Sequence, residues 1–368
     1  MAEFPTDLAL RPAALGARLV ALTYLDAARA ALDRMGDTDD VEALHDFRVA
    51  LRRLRSTIRA YRPLLETSVR GKVRRRLGAM ADATNSGRDT EVQIAWLTTL
   101  KTELTPRERV GYRWLLARLE TRKQEAYESL TSDLPRAFSR AERRLRKGLA
   151  VYTSDIRVDG TTPEEKFGAV AAAAIEQQGE ALEQLLGSIQ TADDTELHQA
   201  RIAAKRLRYL VEPFAGRHPT AAALVQSLKA LQDVLGEVCD ARVLAADIAT
   251  AVEAAAAERA RQLHELALAE PDGPLPRARR RDERPGLLAT ARRVRAHRDG
   301  RFAELRTSWL GEAAMPLARE IAAVVARLQA EAGGAMIVPV PVPHAARPRA
   351  AASAAGWRRR APQQDQTS

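Results

Sequence analysis

Histidine, arginine and lysine recur in the same order in two stretches of the chain, residues 44–61 and residues 197–214. One constant offset aligns the paired residues: His45 with His198, Arg48 with Arg201, and Arg52, Arg53 and Arg55 with Lys205, Arg206 and Arg208. Arginine presents a planar fork of donors that matches phosphate oxygens, and lysine adds a point charge. These residue types, repeated at one spacing, predict a surface that binds a polyanion.

Both stretches have the spacing of an amphipathic helix with charges on one face. Because an α-helix turns by about 100° per residue, residues three or four positions apart lie within an arc of about 80°. We call these faces the first ladder (His45, Arg48, Arg52, Arg55 and Arg59) and the second ladder (His198, Arg201, Lys205 and Arg208). Arg53 and Arg206 point to a different side, and the opposite face is apolar.

The length and the charge of the ladders favour a polymer over a single phosphate. A ladder of four turns spans about 20 Å. Like charges at this spacing destabilise a helix, so a stabilising role does not explain two copies. His45 and His198 lie near the helix starts, where the backbone also favours anions. Cationic neighbours disfavour protonation of an imidazole and a bound polyanion favours it, which predicts tighter binding as the pH falls through about 6 to 7.

The composition agrees with an anionic partner and a helical fold. The 368-residue chain has a formal net charge of +10, although arginine codon preference in a GC-rich genome is an alternative cause of that excess. Aromatic residues are only 4% of the chain, and alanine and leucine dominate the apolar positions, which favours helices packed on helices. Cys239 is the single cysteine, and neither a signal peptide nor a long apolar segment is recognisable, so we expect a cytoplasmic protein.

The apolar periodicity predicts an all-α chain whose pattern restarts about halfway. Leu77–Asp82 and Leu228–Asp233 also correspond, so the sequence predicts two fused helical bundles related by pseudo-twofold symmetry. Thr105 and Glu108 predict a capping box. Besides the two ladder helices, the predicted helices include Leu8–Met35, a helix after Thr105 to about Leu130, Leu134–Val151, Leu224–Leu235, Asp240–Leu268, and Leu287–Glu331 with a kink at Pro316.

The repeated H-x-x-R-[VI]-x-x-[RK]-R-L-R pattern resembles the CHAD domain, the conserved histidine α-helical domain, as does the block from Asp233 to Asp240. The resemblance covers about residues 5–330, with halves of about 5–151 and about 160–330. The composition predicts an irregular loop at 270–286 and a disordered basic tail at 333–368. The resemblance implies two four-helix bundles around a basic central groove or pore. The first half departs from the pattern because Thr84–Gly87 replaces the Leu-Gly that precedes the second aspartate.

The resemblance also implies binding of inorganic polyphosphate and association with polyphosphate granules. Carried over residue by residue, it assigns binding to His45, Arg48, Arg52, Arg53, Arg55, His198, Arg201, Lys205, Arg206 and Arg208. Helical spacing adds Arg59, and further candidates are Lys72, Arg75, Arg76 and Lys229. We expect no cofactor and no metal, and the oligomeric state stays open.

Alternative functions differ in the residues that they require. An enzyme is disfavoured because the sequence has no glycine-rich phosphate loop, no H-E-x-x-H motif and no serine nucleophile elbow. Single-strand nucleic-acid binding is disfavoured because no aromatic residues interleave with the ladders, whereas duplex binding through phosphates stays possible. An accessory factor in phosphate metabolism is a further alternative. Metal binding by the two histidines lacks companion ligands.

Overall fold

The computed structural model describes residues 3–36, 40, 42–150, 165–193, 195–269 and 282–333. Within these ranges every regular element is helical, which confirms the predicted all-α class. Short 3₁₀ turns occupy Leu8–Leu10, Leu100–Thr102, Glu212–Phe214 and Gly311–Ala314. The α-helices are α1 (Ala13–Arg34), α2 (Ala43–Ala60), α3 (Arg62–Leu65), α4 (Gly71–Ala83), α5 (Asn85–Thr99), α6 (Glu108–Ala150), α7 (Phe167–Ser188), α8 (Glu196–Val211), α9 (Pro219–Ala269), α10 (Arg284–Trp309) and α11 (Met315–Gly333).

The described residues form two compact units. The first unit takes residues up to 85, 128–239 and 297 onward, and the second takes 86–127 and 240–296. The division into halves at about 151 and 160 is a different partition and stays a prediction. Residues 270–281 of the predicted loop and the tail from 334 lie outside the described residues, and α10 begins at Arg284.

The core of the first unit holds both ladder helices by their apolar faces. Phe47 of α2 meets Phe138 of α6 edge to face, with ring centroids 5.2 Å apart. Tyr61 and Phe214, the last residues of the two repeated stretches, both contact Phe167, at centroid distances of 5.0 and 6.0 Å. The repeated stretches therefore end on one shared aromatic residue.

The second unit has a separate core. Trp96, Leu97 and Leu115 are buried there together with Leu244 and Leu287. The capping box that begins α6 in this unit is confirmed. The Thr105 N–H donates to Glu108 Oε2 at 2.9 Å, and the Glu108 N–H donates to Thr105 Oγ1 at 3.3 Å.

Two predicted interruptions are absent, and in both cases burial explains the difference. The helices predicted to end near Leu130 and to begin at Leu134 are one helix, α6, with Pro135 inside it. Leu134, Phe138 and Leu145 continue one buried stripe, whose burial outweighs the lost backbone hydrogen bond of proline. Likewise Gly236 does not end a helix, because α9 runs through it and buries apolar residues on both sides.

The predicted start of the first helical segment and the predicted continuity of the last one are wrong. α1 begins at Ala13 rather than Leu8, because Pro12 lacks an amide donor and holds Arg11 in an extended conformation. The last segment is two helices rather than one kinked at Pro316. Gly311, at φ +60°, interrupts it with the left-handed conformation that glycine tolerates best.

Candidate functional site

The two ladder helices, α2 and α8, pack against each other in the first unit. Phe47, Leu51 and Leu54 of α2 are fully buried, as are Leu197 and Leu207 of α8. Three- and four-residue spacing anchors these faces in the core, so the remaining faces carry the cations. The amphipathic assignment of both stretches thus agrees with the structure.

The candidate residues differ in their exposure. Arg48 is buried, with 4% of its surface exposed. Arg59 and His198 are exposed. The others are partly exposed: His45, Arg52, Arg53, Arg55, Arg201, Lys205, Arg206 and Arg208. The cations of the ladders therefore differ in access, from the buried Arg48 to the exposed Arg59, which solvent and a ligand can reach.

Two glycines of neighbouring helices lie beside ladder arginines. A Cβ atom at Gly78 of α4 would lie 3.6 Å from an Nη atom of Arg55. A Cβ atom at Gly236 of α9 would lie 3.5 Å from Nε of Arg201. The glycine of the Asp233–Asp240 block therefore lies inside α9 beside a ladder arginine and does not end a helix.

An ion triad joins the two ladder helices. Arg53 of α2 donates from Nε and Nη2 to the Glu212 carboxylate, at 2.6 and 3.0 Å, and Arg208 of α8 lies 3.2 Å from the same group. The Arg53 guanidinium also lies 5.9 Å from the ring centroid of Tyr24 and 5.7 Å from that of Tyr209. We call Arg53, Glu212 and Arg208 the ion-pair lock.

The surroundings of Arg53 in the lock favour its charged form. Burial opposes the charge of Arg53, but the hydrogen bonds and negative charge of Glu212 outweigh it and raise the pKa of Arg53. Burial, with a further contribution from Glu212, raises the pKa of Tyr24 well above its usual range, so this phenol stays neutral. Arg53 and Arg208 were predicted to bind ligand, and the structure also gives each a carboxylate partner.

The surroundings of Arg55, Arg59 and Arg206 differ from those of the lock, because positive charges act on one another there. Burial lowers the pKa of Arg55; Asp82, 4.0 Å away, opposes this effect and Arg59 adds to it. Burial also lowers the pKa of Arg206, and the positive charge of Arg59 lowers it further. We call these three residues the like-charge cluster. Its two half-buried guanidiniums are desolvated without an equivalent of Glu212.

The additional candidates lie on helices next to the ladders. Lys72 and Arg75 of α4 are exposed and Arg76 is partly exposed. Lys229 of α9 is exposed, and its charge, like that of Arg208, acts on Asp233. These positions add exposed or partly exposed cations to α4 and α9.

Helix α10 adds basic residues that the repeated motif does not indicate. Arg301 Nε lies 2.9 Å from Glu237 Oε2, and His297 Nε2 lies 3.2 Å from the same oxygen. Arg301 also acts on Asp233, the acid beside Arg208. The spacing of His297 and Arg301, four residues apart on one helix face, is the signal that could have indicated them.

Other functional centres find no support in the described part of the chain. No group of three or more histidine, cysteine, aspartate or glutamate side chains there could hold a metal ion. No described helix is both long and apolar enough to cross a membrane.

Comparison with known proteins identifies the family of the chain. Residues 19–249, well over half of the chain, match the CHAD domain family. The chain belongs to the CHAD domain family. A comparison with curated proteins gives no match.

Solved structures show that the CHAD fold extends beyond the matched residues. A CHAD domain from the plant Ricinus communis is 19% identical, with a TM-score of 0.52, and the match covers 87% of this chain and 93% of that one. PptA from Streptomyces chartreusis is 16% identical, with a TM-score of 0.54, over 81% of this chain and 99% of that one. At these identities the likeness concerns the fold.

Proposed function

We propose that this CHAD-family protein binds inorganic polyphosphate without catalysing a reaction, through the ladders on α2 and α8. The observation that carries the proposal is the packing of two duplicated cationic helices in one unit, with partly exposed arginines on both. The CHAD family is associated with polyphosphate binding, which supports this choice among polyanions.

The geometry suits a polymer with closely spaced charges. The first ladder extends over about 20 Å from His45 to Arg59, long enough for several consecutive phosphates. Arginines supply paired donors for phosphate oxygens, and Lys205 supplies a point charge. The Arg59 and Arg206 guanidiniums, whose charges oppose each other, gain a counterion when a phosphate chain binds.

One experiment separates polyphosphate recognition from general attraction to anions. Binding of long-chain polyphosphate, single-stranded DNA and duplex DNA is measured at matched phosphate concentration over a salt series. We expect a preference for polyphosphate that persists near physiological salt, because the binding groups have defined positions. Equal affinity for all three polymers would reduce the site to a generic basic surface. Release of phosphate during incubation would indicate an enzyme.

A double substitution tests whether both ladders take part. Arg52→Glu combined with Lys205→Glu reverses one central charge on each helix, and we expect it to abolish polyphosphate binding while the helical circular dichroism stays unchanged. Arg143→Glu with Arg144→Glu, at exposed positions of α6, is the matched control with the same change of net charge. Loss of binding in both variants would show that net charge, rather than the ladders, determines affinity.

Association with polyphosphate granules follows from the same proposal. A fluorescent fusion of the full chain should colocalise with granules, and the Arg52→Glu and Lys205→Glu double variant should be diffuse. Colocalisation of the double variant would show that granule association does not depend on the ladders.

A further inference from the structure

The two repeats place different charges at equivalent positions where α2 meets the end of α8. The offset that aligns His45 with His198 also aligns Arg53 with Arg206, and it aligns Arg59 with Glu212. Arg53 contacts Glu212, whereas the positive charge of Arg59 acts unfavourably on Arg206 across the packed helices α2 and α8. The equivalent interaction between repeats is therefore attractive in one case and repulsive in the other.

In the attractive contact, Glu212 and its arginine partners already satisfy one another. Both oxygens of Glu212 are engaged, one by Arg53 Nε at 2.6 Å and the other by Arg53 Nη2 at 3.0 Å and Arg208 Nε at 3.2 Å. The Glu212 side chain is only 14% exposed. A polyphosphate chain would have to displace this carboxylate to reach the two arginines, so the lock offers little gain for a ligand.

The site of repulsion between Arg59 and Arg206 is accessible to a ligand. Arg59 is exposed and Arg206 is partly exposed, and neither forms an ion pair with a carboxylate in the described part of the chain. Arg55, the counterpart of Arg208, is 4.0 Å from Asp82, whose side chain is 75% exposed and therefore a weak counterion. Half-buried cations such as Arg55 and Arg206 seldom lie near a further cation without a buried acid, because the costs of desolvation and repulsion add together.

We propose that Arg55, Arg59 and Arg206 form the anchoring subsite for the polyphosphate chain, and that their repeat counterparts Arg208, Glu212 and Arg53 form a structural lock. The inference rests on the proposed function and makes the binding site asymmetric despite the duplication. The phosphate chain supplies at the like-charge cluster the negative charge that Glu212 supplies at the lock. The cluster thus destabilises the free protein and increases its affinity for the phosphate chain.

A double-mutant cycle tests the repulsive contact without any ligand. Arg206→Gln is made in the wild-type chain and in the Arg59→Glu variant, and the melting temperature Tm of each is measured. We expect Arg206→Gln to raise Tm in the wild type, where it relieves repulsion, and to lower it beside Glu at position 59, where it breaks a new ion pair. The cost of an acid near the end of α2 is common to both Arg59→Glu proteins and cancels. If Arg206→Gln changes Tm in the same direction in both backgrounds, the proposed repulsion between Arg59 and Arg206 is refuted.

Binding of long-chain polyphosphate to the same variants tests the anchoring role. We expect Arg59→Glu to weaken binding at least about tenfold, and Arg59→Gln to weaken it less, because it removes a donor without adding an acid. Arg144→Glu, the same charge change at an exposed position of α6, should change affinity less than about threefold.

The outcomes distinguish the inference from the function on which it rests. If the wild-type chain binds polyphosphate and Arg59→Glu binds equally well, the anchoring subsite is refuted and the proposed function stands. If the wild-type chain does not bind polyphosphate, the proposed function and the anchor both fail. The sign of the Tm cycle then still decides whether the cluster is a site of repulsion.

Discussion

Replacing Glu212 by glutamine should destabilise the protein through the ion-pair lock. Glutamine can still accept a hydrogen bond, but it leaves the charges of Arg53 and Arg208 close together and partly buried, with side chains 31% and 17% exposed. Breaking a buried ion pair costs about 3–5 kcal/mol, and the partial exposure of Arg53 reduces this to about 2 kcal/mol. At about 2–4 °C per kcal/mol for a unit of this size, Tm should fall by about 4–8 °C.

Thermal unfolding followed by circular dichroism at low ionic strength measures this change. Glu66→Gln is the matched control, because its partner Arg62 and Glu66 itself are 59% and 60% exposed, and it should change stability by less than about 0.5 kcal/mol. Polyphosphate affinity of Glu212→Gln should be equal to or tighter than that of the wild type, since two arginines lose their carboxylate. Equal Tm values for the two variants, or a loss of affinity in Glu212→Gln, would refute the lock.

Other predictions concern protonation and packing. Polyphosphate affinity should increase about fivefold between about pH 8 and about pH 6, because a charged imidazole donates two hydrogen bonds to phosphate. The double variant His45→Ala, His198→Ala should lose this pH dependence. If the affinity of the wild type does not change with pH, the histidines do not take part in binding. Gly16→Ala should destabilise the protein by about 1–3 kcal/mol in urea unfolding, because its Cβ would lie 2.3 Å from Cγ of Phe167. Gly187→Ala, with no atom within 4 Å of its Cβ, should instead be stabilising by about 0.5–1 kcal/mol, and the opposite order would contradict the packing of α1 on α7.

Local chemistry made much of the site predictable. Three- and four-residue spacing placed Phe47 and Leu51 in the core and left Arg52, Arg55 and Arg59 on the other face. The capping box of Thr105 and Glu108 likewise predicted that a helix begins here, although α6 starts at Glu108 rather than at Pro106. Helix ends were less predictable, because Pro135 and Gly236 are local interruption signals that burial of the flanking leucines outweighs.

The amino-acid sequence by itself determined which residues are cationic, which helix face they share, and that the pattern occurs twice. Only the tertiary structure decided which cations meet an acid. Arg53 and Glu212 are far apart in the chain, and periodicity specifies a face but not the neighbour across a helix pair. Packing of α2 on α8 places Arg53 against Glu212 and brings the charge of Arg59 to bear on Arg206. Equivalent positions of the two repeats therefore form an ion pair in one case and a cluster of positive charge in the other.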